Sequence, residues 1–273
     1  MIVIFKTNLT ARNALILTKS MKSILKYILI TGIRDRLYIG LFITLAASFS
    51  LAIFLGSTAM VEQQQMTAAY IAGSSRIILA IGMILFVCLS INRAFENKEV
   101  EFIISKAISR EEFILGYLLG FFLAALFIFI PLTAAIFFIT NANKIGLIIW
   151  LATLLSENLI VISFALLASL ILKNSFSSII ASFGFYIISR MMGILVFAIN
   201  LPQNFSQASS HFSESFLKIL SAFFPRLDLF GQSEWLNYGV SDFSNLKVIL
   251  WQSLIYIPLM IFMSFRDFKL KQF

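Results

Sequence analysis

The chain has 273 residues, 60% of them hydrophobic, with a mean hydropathy of +0.94, well above the apolar share of about 45–50% usual in soluble globular proteins. Thirty Phe and nine Met stand against 21 basic and 13 acidic residues; this excludes a soluble globular protein and implies an integral membrane protein. The net charge of +8 points to anchoring on an anionic membrane surface rather than to nucleic acid.

In chain order, the first element is an amphipathic helix lying on the membrane. Leu17, Met21, Ile24, Leu25 and Ile28 share one helical face, and Lys19, Lys22 and Lys26 share the other. Seven basic residues precede the first apolar run, too long and too charged a stretch for the n-region of a signal peptide.

Six runs are long enough to cross a hydrocarbon core, which takes about 20 apolar residues. They lie at about 38–55, 69–91, 113–140, 145–172, 178–200 and 246–265, and together form one membrane domain. The second is short unless Arg76 snorkels outward. It contains the one cysteine, Cys88, which is expected to act as a small buried hydrophobe. Placing both termini in the cytoplasm puts 15 of the 21 basic residues inside and only Arg76, Lys144, Lys218, Arg226 and Lys247 outside, with Arg190 within a span. The expected location is the cytoplasmic (inner) membrane.

Between spans two and three comes "INRAFENKEVEFIISKAISREEFILGYLLG", residues 91–120, in which charge is concentrated. Val100, Ile103, Ile104, Ala107 and Ile108 repeat at amphipathic-helix spacing, while Glu99, Glu101, Ser105 and Lys106 lie off that stripe. Ser109 and Glu112 have the spacing of a capping box, so a short helix ends near Ile108 and the third span starts at once.

Glu157 and Arg190 fall inside spans four and five, where an ionisable group costs about 2.5–3.5 kcal/mol. Each is about 15–17 Å from the outer end of its span. That depth suits a register-fixing ion pair, a polar path for substrate, or a proton relay. Pro131 and Pro258 interrupt spans three and six. In the outer segment 201–245, Phe216, Ile219, Leu220 and Phe223 share a helical face expected to dip into the interface, and His211 is expected at the surface. One His without neighbouring ligands makes neither a metal site nor a Ser-His-Asp centre. No P-loop is present: Gly116 and Gly120 lie in an apolar span with no Lys following. The chain is therefore expected to be no enzyme, with no catalytic, cofactor or metal residues of its own.

The charged loop resembles that of ABC-2-type transporter permeases. Glu96 matches the family's leading acid, Ser105 to Arg110 ("SKAISR") its "SxPISR" element, and Glu112 to Gly116 its run into the next span. Ala107 replaces a common Pro, Glu99 a frequent Gly, and Tyr117 a common Lys. The resemblance implies an all-α fold of six transmembrane helices, with an N-terminal interfacial helix and a cytoplasmic coupling helix between spans two and three. It implies a short outer connection after span three, here "NANK", and a longer one after span five. It further implies a separate ABC ATPase subunit holding ATP and Mg, and a second permease copy or a paralogue in the complex. Coupling to the ATPase then falls to Glu96, Glu99, Val100, Glu101, Ile103, Ile104, Ser105, Ile108, Ser109 and Arg110. The competing readings are an ion-coupled secondary transporter or channel working through Glu157 and Arg190, and a non-transporting membrane scaffold for an ATPase or assembly partner.

Overall fold

The computed structural model describes residues 25–32, 36–60, 62–100, 109–140, 143–172, 174–200, 223–240 and 243–270. Among these residues there is no strand, and six helices are long and apolar enough to cross a membrane. They are α1 (Arg36–Ser57), α2 (Gln63–Glu96), α3 (Arg110–Ile139), α4 (Lys144–Ile171), α5 (Ser175–Asn200) and α6 (Ser244–Leu270). Each spans one of the six apolar runs, and the charged ends of the runs become helix ends. In α3 the Ser109 Oγ accepts from the Glu112 backbone N–H and Glu112 Oε2 accepts from the Ser109 N–H, both at 3.2 Å, completing the capping box. In α4 the Asn143 Oδ1 caps the amides of Ile145 and Gly146. α3 and α6 continue through Pro131 and Pro258 as single helices.

α4 is the central helix and packs on α2, α3, α5 and α6; α1 packs on α2 at the edge of the bundle. α2 and α4 are the most enclosed helices, whereas α1 and α6 turn most of their apolar surface outward. Such outward-facing Leu, Ile and Phe match a lipid surrounding, where no water competes for apolar contact. Small residues bring helices close: Ser178, Ser182 and Ser189 of α5 are buried, and the Cys88 Sγ of α2 lies 3.7 Å from the Ser182 Oγ.

Two elements outside the six helices pack against them. Residues 25–32 are helical, and Ile28 presses on Gly120 of α3, where a side chain would collide with it. Leu17, Met21 and Ile24 of the expected interfacial helix lie outside the described residues. At the opposite end, residues 223–240 form a 3-10 turn (Leu227–Leu229) and a five-residue helix (Glu234–Tyr238) and bury Leu227, Phe230, Trp235 and Leu236. Gly146 is required here, because a Cβ on it would overlap the Trp235 carbonyl. The Asn143 N–H donates to the Leu236 carbonyl at 2.9 Å, and the Asn237 side chain donates to the Gln65 carbonyl at 3.1 Å. The segment is thus stitched to the starts of both α2 and α4.

One boundary differs from the expectation with a structural consequence. α2 begins at Gln63 and runs for 34 residues, about 51 Å, so it is never short of the hydrocarbon thickness and Arg76 has no need to reach outward. Arg76 is instead 3% exposed and turned into the bundle.

Candidate functional site

Three ionisable residues on three helices meet beneath the docked segment 223–240. Arg76 is 13 residues from the start of α2 and Glu157 is 13 residues from the start of α4, about 20 Å along each axis. Both helices start at the same end of the bundle, so equal spacing brings the two side chains to one level. Arg190 arrives at that level from α5, ten residues before its end.

Arg76 Nε donates to Glu157 Oε2 at 2.6 Å, its Nη2 to the Leu227 carbonyl at 2.6 Å, and its Nη1 to the Gly231 carbonyl at 3.2 Å. A planar fork with five N–H donors suits this task, because it holds a carboxylate and two backbone carbonyls at once. Arg190 Nη1 donates to the same Leu227 carbonyl at 2.8 Å. The direct partner of Glu157 is therefore Arg76, and Arg190 joins the cluster through the docked backbone. Gly231 carries φ +52°, a backbone region natural to glycine, and its N–H donates to Thr153 Oγ1 of α4 at 3.2 Å. Beside it, Arg226 Nη2 and Asp228 Oδ2 form a half-exposed pair at 3.0 Å, and a Cβ at Gly193 of α5 would collide with Asp228.

Glu157 is fully enclosed, and its second oxygen, Oε1, has no partner among the described residues. Two guanidinium groups and one carboxylate leave the cluster with one excess positive charge, directed at backbone carbonyl oxygens. Its chemistry is that of a clasp. It ties α2, α4 and α5 to one docked segment, and lifting that segment would strip carbonyl partners from both arginines.

The charged loop shows its two flanks. Glu96 ends α2 and is exposed; Val100 is buried. Tyr27 of the preceding helical stretch donates its hydroxyl to Glu99 Oε2 at 2.7 Å. Partial burial, and then the acceptor Glu99 carboxylate, push the Tyr27 phenol above its ordinary pKa. At the other flank Arg110 Nη1 donates to the carbonyls of Phe268 (3.0 Å) and Lys269 (2.8 Å) near the end of α6, satisfying carbonyls that a helix end leaves open. Lys269 and Glu111 pair at 2.5 Å, and the Phe268 ring stacks on Phe113 of α3 and meets Phe95 of α2 edge-on. Glu101, Ile103, Ile104, Ser105 and Ile108, together with Phe216, Ile219, Leu220 and His211, lie outside the described residues.

The residues absent from the sequence-based set are Arg76, Thr153, and the carbonyl-bearing Leu227 and Gly231. Arg76 carried a usable signal, namely its equal offset with Glu157 once both helix starts are known. The carbonyl acceptors carried none, since any residue type supplies one. No protein-family model matches the chain, and no curated protein matches it significantly.

Proposed function

We propose that this chain is the membrane-spanning permease subunit of an ATP-driven transporter of the ABC-2 type, energised by an ATPase subunit in trans and completed by a second permease chain. The observation that carries the reading is the clamping of the charged loop at both flanks. Glu99 is held by Tyr27, and Ser109–Arg110 is held to α3 by the capping box and to α6 by the Arg110 fork. A push on such a loop reaches α2, α3, α6 and the helical stretch 25–32 together instead of being absorbed by slack. A loop that served only as a solvated connector would have no need of these ties. The exposed Glu96 carboxylate is then open to a partner, and the loop resemblance assigns that partner as the ATPase, with Glu99 and Glu101 in the same coupling set. The same reading places the loop end in the cytoplasm and the docked segment 223–240 on the outer side.

The test is affinity purification of the tagged chain from its native membranes in mild detergent, with identification of partners and an ATPase assay. Recovery of a Walker-motif protein, lost when Glu96, Glu99 and Glu101 are changed to Lys, is the expected result. Absence of any ATPase from preparations in which the chain remains folded would refute the proposal.

A further inference from the structure

We propose that the crevice between α1 and α2 at the charged-loop end holds one anionic phospholipid, with its phosphate between Arg36 and Arg93 and one acyl chain along the groove. The inference rests on the membrane-spanning reading of the helices and not on the ATPase assignment. Arg36 opens α1, Arg93 lies in the last turn of α2, and both side chains are exposed. Between them begins a crevice of about 520 Å³, within the range of about 300–1,000 Å³ common for small-molecule sites. Among the described residues that line it, Arg36 and Arg93 are the charged ones and none is acidic.

The wall is apolar for the length of one lipid leaflet. From Arg93 to Ile78, the farthest lining residue on α2, is 15 residues, or about 22 Å of helix. Half of a hydrocarbon core is about 15 Å, so a chain whose phosphate sits at the arginines runs alongside Ile81 and Ile78 toward the bilayer centre. Thr44 adds no open polar group to the wall, because its hydroxyl donates back to the Gly40 carbonyl at 2.8 Å.

Two glycines shape the groove in opposite senses. Gly82 lets α1 approach α2, since a Cβ there would collide with Leu41. Gly40 does the reverse: a Cβ there meets nothing within 4 Å, so it leaves room rather than permitting contact. A glycine inside a helix is unfavourable for the helix itself, and an open slot facing the lipid gives that position a physical reason. Arg93 also borders the cleft that contains Tyr27 and Glu99, so a phosphate at this site touches the same arginine that neighbours the flank of the charged loop.

The experiment is native mass spectrometry of the full chain, delipidated and titrated in detergent with phosphatidylglycerol or phosphatidylcholine of the same chain length. One retained phosphatidylglycerol per chain is expected, favoured over phosphatidylcholine by about 25-fold, the product of two arginines worth about fivefold each. Arg36→Gln with Arg93→Gln should bring phosphatidylglycerol down to the phosphatidylcholine level. Gly40→Phe, whose Cβ meets no protein atom within 4 Å, should abolish retention with both arginines intact. Lys26→Gln with Arg266→Gln, which removes equal charge elsewhere at this end, should change nothing. Equal retention of the two lipids by the unaltered chain would overturn the proposal. So would undiminished binding to the Gly40→Phe chain, or equal loss in the Lys26 and Arg266 control, since diffuse basic charge would then be the attractor.

Discussion

Replacing Arg76 with Met should destabilise the bundle by about 3–5 kcal/mol, because it strands the enclosed carboxylate of Glu157. The lost hydrogen bonds alone do not account for that size. Arg76 makes three, and interhelical hydrogen bonds inside membranes average about 0.6 kcal/mol each, so their sum is about 2 kcal/mol. A larger loss must come from the unpaired charge. The double replacement Arg76→Met with Glu157→Leu removes that charge while keeping the volume, and should recover at least about 2 kcal/mol of the single-variant loss. Arg190 remains hydrogen-bonded to Leu227 in that variant and within electrostatic range of Asp228. Cys88, the one cysteine, is enclosed by the core, so a thiol-reactive dye reports unfolding without further engineering. At about 2–4 °C per kcal/mol, Arg76→Met should lower the midpoint by roughly 6–20 °C. A single-variant shift within about 4 °C, or strictly additive losses in the double variant, would refute the assignment of the cluster as a charge-compensated clasp.

Three further outcomes follow from particular contacts. Gly146→Ala should cost about 1–3 kcal/mol and expose 223–240 to protease, since its Cβ overlaps the Trp235 carbonyl; Gly73→Ala, with open space around it, should gain about 0.5–1 kcal/mol. Ser109→Ala should cost about 1 kcal/mol and speed hydrogen exchange at the Glu112 amide, while Ser109→Asp retains the cap. The Tyr27 phenol is raised above the ordinary tyrosine pKa of about 10 in the folded chain, so its stabilising contribution is complete below that value and is lost as pH climbs through the folded-state pKa. Denaturation midpoints should therefore fall at alkaline pH with a slope that Tyr27→Phe reduces; an unchanged slope would remove Tyr27 as its source.

The membrane class and all six helices were legible because hydropathy is a local property, and α1 to α6 cover the six apolar runs. The capping box at Ser109 was legible for the same reason: both partners lie three residues apart. Arg76 was misjudged because its fate depends on a residue 81 positions away and on two backbone carbonyls. An arginine near an apparent span end snorkels unless something inside satisfies its fork, and that something is a tertiary fact. Glu157 and Arg190 stand out in the sequence as costly in apolar surroundings; in the structure Glu157 pairs with Arg76, and it is Arg76 and Arg190 that share the Leu227 carbonyl. The docked segment had a trace in sequence, with Leu227, Phe230, Trp235 and Leu236 spaced among polar residues and glycines at 231 and 239. Burial at one end of a bundle has no fixed period, so periodicity could not find it.

α2 connects the two polar assemblies. One helix of 34 residues carries Arg76 13 residues from its start and Arg93, Glu96 and the flank of the charged loop at its other end. Its middle is held by close packing on α4, with Leu79, Met83, Ile84 and Val87 fully enclosed. A helix so packed transmits axial displacement better than it absorbs it, because well-packed interiors have two arrangements rather than a continuum. Under the proposed function, a push on the loop therefore shifts Arg76 against Leu227 and Gly231, where hydrogen bonds of 2.6 and 3.2 Å tolerate little change. Glu157 sits on α4, so any shift of α2 relative to α4 also strains the ion pair. The excess positive charge of the cluster makes the released state the one that needs a new acceptor. In a transporter, the group that supplies it would be the cargo or the second permease chain. Charge reversal at Glu96, Glu99 and Glu101 and neutralisation of Arg76 should then impair one and the same step, from opposite ends of α2.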